Sequence, residues 1–373
     1  MSTTAPPRVV VADDSAMMRA IVSTSLKHAG VEVVGSASNG DEALALCERE
    51  RPDAMTLDLA MPGLDGMGVL RALRNPGASS VPVVVVSAFS PAHGARAVDA
   101  LAEGAFDLVA KPAIGEGLDV FKQSLCEKVA AAVQSGRRRS LARPHTGGAV
   151  QSTLVRREPH RVRPGALGLP HENGSGVASV RRPVRTGVQK VVLIATSTGG
   201  PRALAQLMPA LPSPLGMGTL IVQHMPAGFT GSLAARLDGA SKLGVREAAA
   251  GDAINPSVAL LAPGGLHLRL RPDGRAVLSE ENAVGGLRPR ADLLIEDAAK
   301  LYGDKLLLVV MTGMGNDGLR GASEVRRRGG RIFVESAESC TVYGMPRAIV
   351  EARLADEVLP LDQLPAAIAA EAC

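Results

Sequence analysis

The chain has 373 residues, of which 46% are hydrophobic and 21% are charged, and this ordinary globular composition predicts about two domains. Its formal net charge of +4 is too small to indicate a nucleic-acid partner, and none is expected. The first residues, MSTTAPPRVVVADD, contain no long apolar region, so no signal peptide is expected. The apolar runs stay below the roughly 18–20 residues that span a bilayer, and the cysteines lack metal-ligand spacing. A cytoplasmic protein with reduced thiols and no membrane insertion is therefore expected.

Short apolar runs alternate with amphipathic segments in the first third of the chain. The runs are RVVVAD, VEVVGSAS, DAMTLDL, VPVVVVSAF and FDLVAK. Continuous β-branched runs separated by helical patterns are typical of a parallel sheet that is covered on both faces. The pattern predicts a doubly wound (βα)5 domain over residues 8–132.

The periodicity stops after this domain. The next stretch contains RRRS, RREPHRVR and RRPVR among Pro, Gly and Ser residues, and it predicts a basic, flexible linker over residues 133–187. Two interpretations of its charge remain open. The linker is either a solvated tether or a contact for an acidic partner or an acidic domain face.

Apolar runs resume in the last part of the chain, from Gln189 onward. They are KVVLIAT, GTLIVQH, VALLAPGG, LLLVVMTG and RIFVES. The segment HLRLRPDGRAVLS differs, because two alternating stretches flank Pro-Asp-Gly and predict a hairpin. The second domain, residues 188–373, is therefore predicted to be a doubly wound, mostly parallel α/β domain with an added β-hairpin.

Polar side chains follow the apolar runs of the first domain. Asp13 and Asp14 follow the first run, Asp58 the third, Ser87 the fourth and Lys111 the fifth. These ends meet at one edge of a parallel sheet, and three clustered carboxylates need a hard cation such as Mg²⁺. A metal and a lysine together can neutralise a phosphoryl group that is transferred to a carboxylate. Each residue alone is weak evidence, since an Asp-Asp pair after a strand is more often a cap or a turn.

In this order, these residues resemble a response-regulator receiver of the CheY-like fold over residues 8 to about 130. The resemblance implies roles for six residues, with Asp58 as phosphoacceptor, Asp13, Asp14, Asp58 and the Ala60 carbonyl as Mg²⁺ ligands, and Ser87 and Lys111 as phosphate-sensing residues. It also implies a cis bond between Lys111 and Pro112. Two positions depart from the usual pattern: Leu108 replaces an aromatic switch residue, and Ala60 replaces a polar side chain.

A serine lies at a predicted strand–helix turn in KVVLIATSTGGPRALAQLM. Ser197 and Thr198 precede two glycines, and a helix N-terminus directs free N–H groups and positive partial charge at such a turn. The turn suits a serine nucleophile, but a phosphate-binding turn or a simple N-cap fits this segment equally well. It is neither a G-x-S-x-G elbow nor a P-loop.

Two residues at other strand ends complete a possible triad. His224 closes the next strand and could take the serine proton, although a lone histidine is more often structural. Asp317 follows another apolar strand and could orient His224, although an acid among glycines usually forms a turn. The triad is favoured because all three residues fall at carboxyl ends of strands.

The segments ATSTGG, QHMPAGFT, APGGLHL, MTGMGNDG and CTVYGMP are similar to the CheB family of chemotaxis protein-glutamate methylesterases. The resemblance implies that Ser197 is the nucleophile, His224 the base and Asp317 its partner, with Thr198 beside the nucleophile and the Met314 amide in the oxyanion hole. No cofactor is implied in this domain. Two positions differ from the usual pattern of this family. Ala195-Thr196 precedes the serine, and Arg290 stands where a smaller residue is expected. The arginine is expected to alter receptor fit rather than chemistry.

The resemblance implies a phosphorylation-activated hydrolase for chemotactic adaptation. It would demethylate glutamate methyl esters on methyl-accepting chemoreceptors, deamidate receptor glutamines, and receive phosphate from a CheA-type histidine kinase. Two alternatives stay open: an esterase of a non-chemotactic receptor pathway, which partner identification would distinguish, and a non-catalytic binding module. The second alternative leaves Ser197, His224 and Asp317 without a purpose.

Overall fold

The computed structural model describes residues 5–75, 81–88, 91–112, 118–142 and 189–373. Two α/β units follow one another along these residues, each built on its own parallel sheet. None of the helices in the described ranges combines the length and the apolarity that crossing a bilayer requires.

The N-terminal unit is a five-stranded sheet with the strand order β2-β1-β3-β4-β5. Its strands are β1 (Arg8–Ala12), β2 (Glu32–Ala37), β3 (Ala54–Leu57), β4 (Val83–Ser87) and β5 (Asp107–Ala110). Its helices are α1 (Ala16–His28), α2 (Gly40–Glu50), α3 (Gly66–Leu73), α4 (Pro91–Ala102) and α5 (Leu118–Ala142). Alternate residues of β1 point to opposite faces, since Val10 packs with Ala43 of α2 whereas Val11 packs with Leu26 of α1. The predicted doubly wound receiver fold is confirmed.

The C-terminal unit contains a seven-stranded sheet with the strand order β14-β13-β12-β6-β7-β9-β8, in which every neighbouring pair is parallel. Its strands are β6 (Val191–Thr196), β7 (Gly218–Gln223), β8 (Gly244–Glu247), β9 (Val258–Leu261), β10 (His267–Leu270), β11 (Ala276–Ser279), β12 (Leu306–Val310), β13 (Arg331–Glu335) and β14 (Glu357–Leu359). Its helices are α6 (Gly200–Leu207), α7 (Phe229–Asp238), α8 (Ala291–Tyr302), α9 (Leu319–Arg327), α10 (Met345–Glu351) and α11 (Leu364–Ala372). Strands β10 and β11 form the predicted antiparallel hairpin as a separate sheet, so the predicted fold class is confirmed here as well.

The order of the strands fixes where this unit can hold a site. Strand β6 lies at the centre, with β7 on one side and β12 on the other. The chain therefore leaves the carboxyl end of β6 toward one side of the sheet and returns later on the other side. Such a switch in strand order opens a crevice at the carboxyl edge, where ligands bind in open α/β sheets.

Two local features differ from the sequence-based expectations. Helix α5 continues to Ala142, past residue 133 at which the linker was predicted to begin. The helix continues because Val133 is still part of the receiver core and Gly136 lies close to Pro82. Residues 143–188 of the chain, which include most of the predicted linker, lie outside the described residues. The expected cis bond at Lys111–Pro112 was wrong, since the cis bonds of the described ranges are Ser213–Pro214 and Arg288–Pro289.

Candidate active site and phosphorylation site

Ser197 lies in a tight turn between β6 and α6. Gly199 has a left-handed backbone with φ of 80°, and a Cβ atom there would lie 2.4 Å from the Thr341 Cβ. Only glycine fits this turn without strain. The Ser197 amide donates a hydrogen bond of 3.0 Å to the Thr312 carbonyl, which fastens the turn to the end of β12. The turn therefore holds Ser197 at the carboxyl edge of the central strand.

Gln223, the last residue of β7, connects the ends of β6 and β7. Its Nε2 donates to the carbonyl oxygens of Ser197 and His224, each at 3.0 Å. Its Oε1 accepts a hydrogen bond of 2.7 Å from the Thr196 hydroxyl. The side-chain amide of Gln223 is buried, so these hydrogen bonds fix the backbone of the serine relative to that of the histidine.

His224 and Asp317 form a buried pair. The His224 Nε2 lies 2.7 Å from the Asp317 Oδ2, and their side chains are 6% and 1% exposed. The other ring nitrogen, Nδ1, is buried and has no hydrogen-bond partner among the described residues. Ser197 Oγ makes no hydrogen bond to it within these ranges, and catalytic hydrogen bonds often tighten only when substrate binds.

Asp317 is held as a carboxylate by several donors. It accepts hydrogen bonds from the amides of Ala291 at 2.7 Å, Asp292 at 3.0 Å and Gly318 at 2.9 Å. Two of these amides belong to the N-terminal turn of α8, where the helix dipole also favours negative charge. Burial alone would raise the pKa of Asp317, but the hydrogen bond and the charge of His224, together with the backbone donors, outweigh burial and hold it well below the usual range.

Arg290 lies directly behind this pair. Its Nε is 3.2 Å from the Asp317 Oδ1, and its Nη2 is 2.9 Å from the Asp292 Oδ2. Asp292 in turn accepts hydrogen bonds from the amides of Gly318 and Gly321. The side chain of Arg290 thus contacts the candidate triad acid, and its expected effect on receptor fit stays a prediction.

The loop after β12 is anchored by Glu335, a buried acid that ends β13. The Thr312 amide donates to the Glu335 Oε2 at 2.8 Å, and the Thr312 hydroxyl donates to the Thr198 carbonyl at 2.8 Å. Burial raises the pKa of Glu335, although the Thr312 amide opposes that rise. Further along the loop, the Met314 amide donates no backbone hydrogen bond within the described ranges.

The receiver covers this face of the catalytic unit. The Thr198 hydroxyl donates to the Asp107 Oδ2 at 2.5 Å, and both residues are buried. Met314 packs against the receiver core, and Asp99 of α4 forms an ion pair with Arg236 of α7. A cavity of about 1310 Å³ remains beside the site, bounded by α5 on one side and by residues such as Gly199, Met314 and Tyr343 on the other.

Three carboxylates meet at the carboxyl edge of the receiver sheet. Asp13, Asp14 and Asp58 each present an oxygen atom within 4.8 Å of the others. The Lys111 Nζ lies 2.8 Å from the Asp13 Oδ2 and 2.9 Å from the Asp58 Oδ2. Burial raises the pKa of Asp13 despite Lys111, while the two carboxylates outweigh burial and raise the pKa of Lys111. An all-oxygen donor set of this kind fits Mg²⁺.

The remaining receiver residues also lie near this edge. Ser87 ends β4 and is buried, and its hydroxyl is 3.5 Å from the Ala88 carbonyl. Ala60 is exposed two residues after Asp58, where its carbonyl could complete a metal site. Leu108 is buried within β5, so the position of the usual aromatic switch is filled by an aliphatic core residue.

Comparisons with known proteins agree with this geometry. The response regulator receiver domain model matches residues 9–119, and the CheB methylesterase model matches residues 192–368. A protein-glutamate methylesterase/protein-glutamine glutaminase of Symbiobacterium thermophilum is 41% identical over 375 residues, covering 97% of this chain and 96% of that protein. The protein of the same name from Moorella thermoacetica is 40% identical, with 98% of each chain covered.

The chain belongs to this family of receiver-linked CheB methylesterases. The solved catalytic domain of the CheB methylesterase of Thermotoga maritima is also similar, with 40% identity over 49% of this chain and 98% of that one at a TM-score of 0.47.

Sequence reasoning missed two residues that hold the methylesterase site together. Gln223 stands beside His224 in QHMPAGFT, and its only signal was a polar residue at the end of an otherwise apolar strand. Glu335 likewise ends the apolar run RIFVES and is fully buried. A polar residue that closes a buried strand is placed at the edge where the site forms, and this signal could have found both.

The bridge made by Gln223 leads to a prediction for Gly200. A Cβ atom at Gly200 would lie 2.0 Å from the Gln223 Oε1 and 2.8 Å from the Thr196 Oγ1, so Gly200→Ala must displace the bridging amide. We expect this variant to lower the free energy of unfolding by about 1–3 kcal/mol, measured by urea denaturation. Gly239→Ala is the matched control, because its Cβ would make only ordinary contacts of 3.7 and 3.9 Å. Equal stability of the two variants would contradict the tight fit at Gly200.

Proposed function

We propose that this chain hydrolyses glutamate methyl esters on the cytoplasmic helices of chemoreceptors, releasing methanol, and that it deamidates receptor glutamines to glutamate. The observation that carries the proposal is the buried His224–Asp317 pair at 2.7 Å, whose other ring nitrogen has no hydrogen-bond partner among the described residues. The Gln223 amide joins the backbone carbonyl of this histidine to that of Ser197. Each hydrolysis restores one carboxylate on a receptor helix. The charge change is the basis of chemotactic adaptation in this proposal.

The first half of the reaction acylates the serine. His224 accepts the hydroxyl proton of Ser197 at Nδ1 as Oγ attacks the ester carbonyl carbon. Asp317 stabilises the resulting imidazolium and keeps the ring oriented. The amide of Met314 donates to the oxyanion, and the N-terminus of α6 adds positive partial charge. His224 then protonates the departing methoxide, so methanol leaves and an acyl-enzyme remains.

The second half of the reaction regenerates the serine. His224 removes a proton from water, the hydroxide attacks the acyl carbon, and Ser197 leaves with the proton returned by the imidazolium. The products are one glutamate carboxylate and one methanol for each water consumed. A glutamine side chain follows the same route and releases ammonia, because an ester and an amide pass through similar tetrahedral intermediates.

In the receiver, Asp58 accepts a phosphoryl group from a CheA-type histidine kinase. Asp13, Asp14, Asp58 and the Ala60 carbonyl would hold Mg²⁺, and the ion would supply positive charge to offset that of the transferred group. Lys111 contributes a second positive charge at the acceptor, and the Ser87 hydroxyl is placed to bind the new phosphate. The catalytic unit is proposed to need no metal or other cofactor.

The unphosphorylated receiver acts as a lid in this proposal. A receptor helix is large, and the contacts of Asp107 with Thr198 and of Met314 with the receiver core occupy the approach to Ser197. Ser87 leads toward α4, whose Asp99 pairs with the catalytic unit. With Leu108 in place of an aromatic switch, the signal travels through Ser87 and α4 and shifts the equilibrium toward an open arrangement.

The nucleophile prediction concerns Ser197. Ser197→Ala should lower methanol release from methylated receptor by about 10⁴-fold or more while leaving folding and phosphorylation intact. His224→Ala should be about as damaging, because triad members act as a unit. Asp317→Asn should cost a comparable amount or less, since an amide disturbs the orientation of the ring. Near-wild-type turnover by Ser197→Ala would refute the proposed mechanism.

The phosphorylation prediction concerns Asp58. The full chain should be labelled by a histidine kinase or a small phosphodonor only when Mg²⁺ is present, and chelation of the metal should abolish labelling. Asp58→Asn should remove stable labelling because it removes the acceptor carboxylate. Asp53→Asn, outside the acidic cluster, is the control and should be labelled normally. Persistent labelling of the Asp58→Asn chain would mean that another residue is the acceptor.

The regulatory prediction compares the full chain, the phosphorylated full chain and a fragment that starts near Gly187. A lid requires the fragment to exceed the unphosphorylated chain on methylated receptor. A tenfold gain corresponds to only about 1.4 kcal/mol between the two arrangements. A fragment slower than the unphosphorylated chain, together with activation by phosphate, would make the receiver an activator instead.

Asp107→Ala tests the same contact within the intact chain. The substitution removes the acceptor of the Thr198 hydroxyl without altering the catalytic unit, so it should raise the activity of the unphosphorylated chain several-fold and reduce its activation by phosphate. Glu48→Ala, an exposed position on α2, is the control for loss of one receiver carboxylate and should leave both values unchanged.

A further inference from the structure

We propose that the loop of residues 280–288 binds the receptor, with the exposed side chain of Val284 at its tip against an apolar side chain of the helix that carries the target glutamate. The inference rests on the proposed function and names a surface through which that substrate is held. Val284 takes no part in the chemistry itself, so its role is in substrate binding and specificity.

The tip of this loop is an ordered tight turn. Val284 and Leu287 exchange two backbone hydrogen bonds, of 3.1 and 3.2 Å. Between them, Gly285 and Gly286 have left-handed backbones with φ of 60° and 78°. A two-residue turn with positive φ at both central positions is typical of tight hairpins, and glycine adopts it without strain. The tip therefore has a defined shape although it lies in solvent.

Two arginine side chains hold the backbone of the loop. The Arg288 Nη1 donates to the carbonyl oxygens of Glu280 at 3.1 Å and Glu281 at 3.2 Å. The Arg290 Nη1 donates to the Val284 carbonyl at 3.0 Å. These bonds restrain the loop before any partner binds. A surface that is already ordered loses less conformational entropy on binding, which favours recognition by this loop.

The same tip exposes an unbroken run of residues that lack a polar side chain. Residues 283–286, with the sequence Ala-Val-Gly-Gly, are all exposed, and Val284 is 38% exposed. A single exposed apolar side chain needs no explanation, but folding gains nothing from four such residues in succession on an ordered turn. A contact with a partner would remove this run from water and would account for it.

The loop borders the catalytic pair. The Arg290 guanidinium that binds the Val284 carbonyl also places its Nε 3.2 Å from the Asp317 Oδ1. A Cβ atom at Gly285 would lie 2.9 Å from the Arg290 Nη1, so the turn rests directly on this guanidinium. A helix with its side chains is about 10–12 Å across, so a receptor helix whose glutamate reaches Ser197 also covers the rim of the site. The partner that this placement favours is therefore the substrate helix itself.

The receiver leaves the tip of this loop accessible. Its contacts with the catalytic unit described above lie at Thr198, Met314 and Arg236, and residues 283–286 stay exposed while those contacts are made. The tip can therefore touch a receptor before the lid opens. A helix with an apolar stripe beside the target glutamate has the chemistry that fits it.

The experiment compares two substrates of the full chain. One is the cytoplasmic fragment of a methylated chemoreceptor, and the other is a capped single glutamate methyl ester, which is too short to reach the loop. Val284→Ser should lower the ratio of kcat/KM on the fragment to kcat/KM on the small ester by about tenfold, because only the fragment loses an apolar contact. Most of that loss should appear as a higher KM. Val284→Ile keeps an apolar side chain and should hold the ratio within about twofold of wild type.

The matched control is Val358→Ser. Val358 is 44% exposed on β14, the strand at the outer edge of the seven-stranded sheet, and its replacement should leave the ratio unchanged. Binding is measured separately, without turnover, in chains that carry Ser197→Ala. Adding Val284→Ser to that chain should raise the Kd for the receptor fragment about tenfold, whereas adding Val358→Ser should not change it.

The proposal is overturned if Val284→Ser leaves the ratio and the Kd unchanged, or if Val358→Ser changes them equally. An equal loss on both substrates would also contradict it, because the loop would then act on the triad through Arg290 and not on the receptor. The binding measurement needs no hydrolysis, so it decides the role of the loop even if the wild-type chain hydrolyses neither substrate. Such a failure would instead refute the proposed function.

Discussion

The buried carboxylate of Asp317 is the group on which the rest of the catalytic unit depends. Burying an ion costs several kcal/mol unless its hydrogen-bonding capacity is filled, and Asp317 fills it with three backbone amides and a histidine. The Arg290 guanidinium adds an ion pair at 3.2 Å. To supply these donors, the start of α8 and the loop after β12 must come together. The acid therefore determines the local fold as well as the orientation of His224.

The central strand β6 explains why the other site residues lie near this acid. Its neighbours β7 and β12 carry His224 and Asp317 at the same edge, and Gln223 and Thr312 tie both ends back to the serine turn. Each of these ties uses a backbone carbonyl or amide of the turn. The position of Ser197 is consequently set by hydrogen bonds between strand ends, while the helices pack around them.

Much of this arrangement could be predicted from sequence because it follows from one rule. Polar residues at the ends of apolar runs meet at one edge of a parallel sheet, and this rule placed Asp13, Asp58 and Lys111 in one cluster and His224 and Asp317 in another. The rule requires only the order of strands and not their side-chain packing. The hairpin was equally accessible, since Pro-Asp-Gly between alternating segments is a local signal.

What the sequence did not reveal depends on contacts between distant segments. Arg290 reads as a surface residue after Pro289, and only the folded chain brings its guanidinium to Asp317. The helical extension of α5 was missed because Gly136 and a run of arginines read as a linker, whereas packing against the receiver core overrides that composition.

The Asp107–Thr198 contact joins residues 91 positions apart in different domains, and no local pattern encodes it. This contact also joins the receiver to the nucleophile turn. Thr198 is attached through its carbonyl to Thr312, and through that residue to the Glu335 anchor, so a receiver that binds Thr198 binds the scaffold of the nucleophile turn and not merely its surface. Withdrawal of Asp107 would leave that scaffold intact, because Thr312, Glu335 and Gln223 all belong to the catalytic unit. A lid attached in this way can open without dismantling the site that it covers.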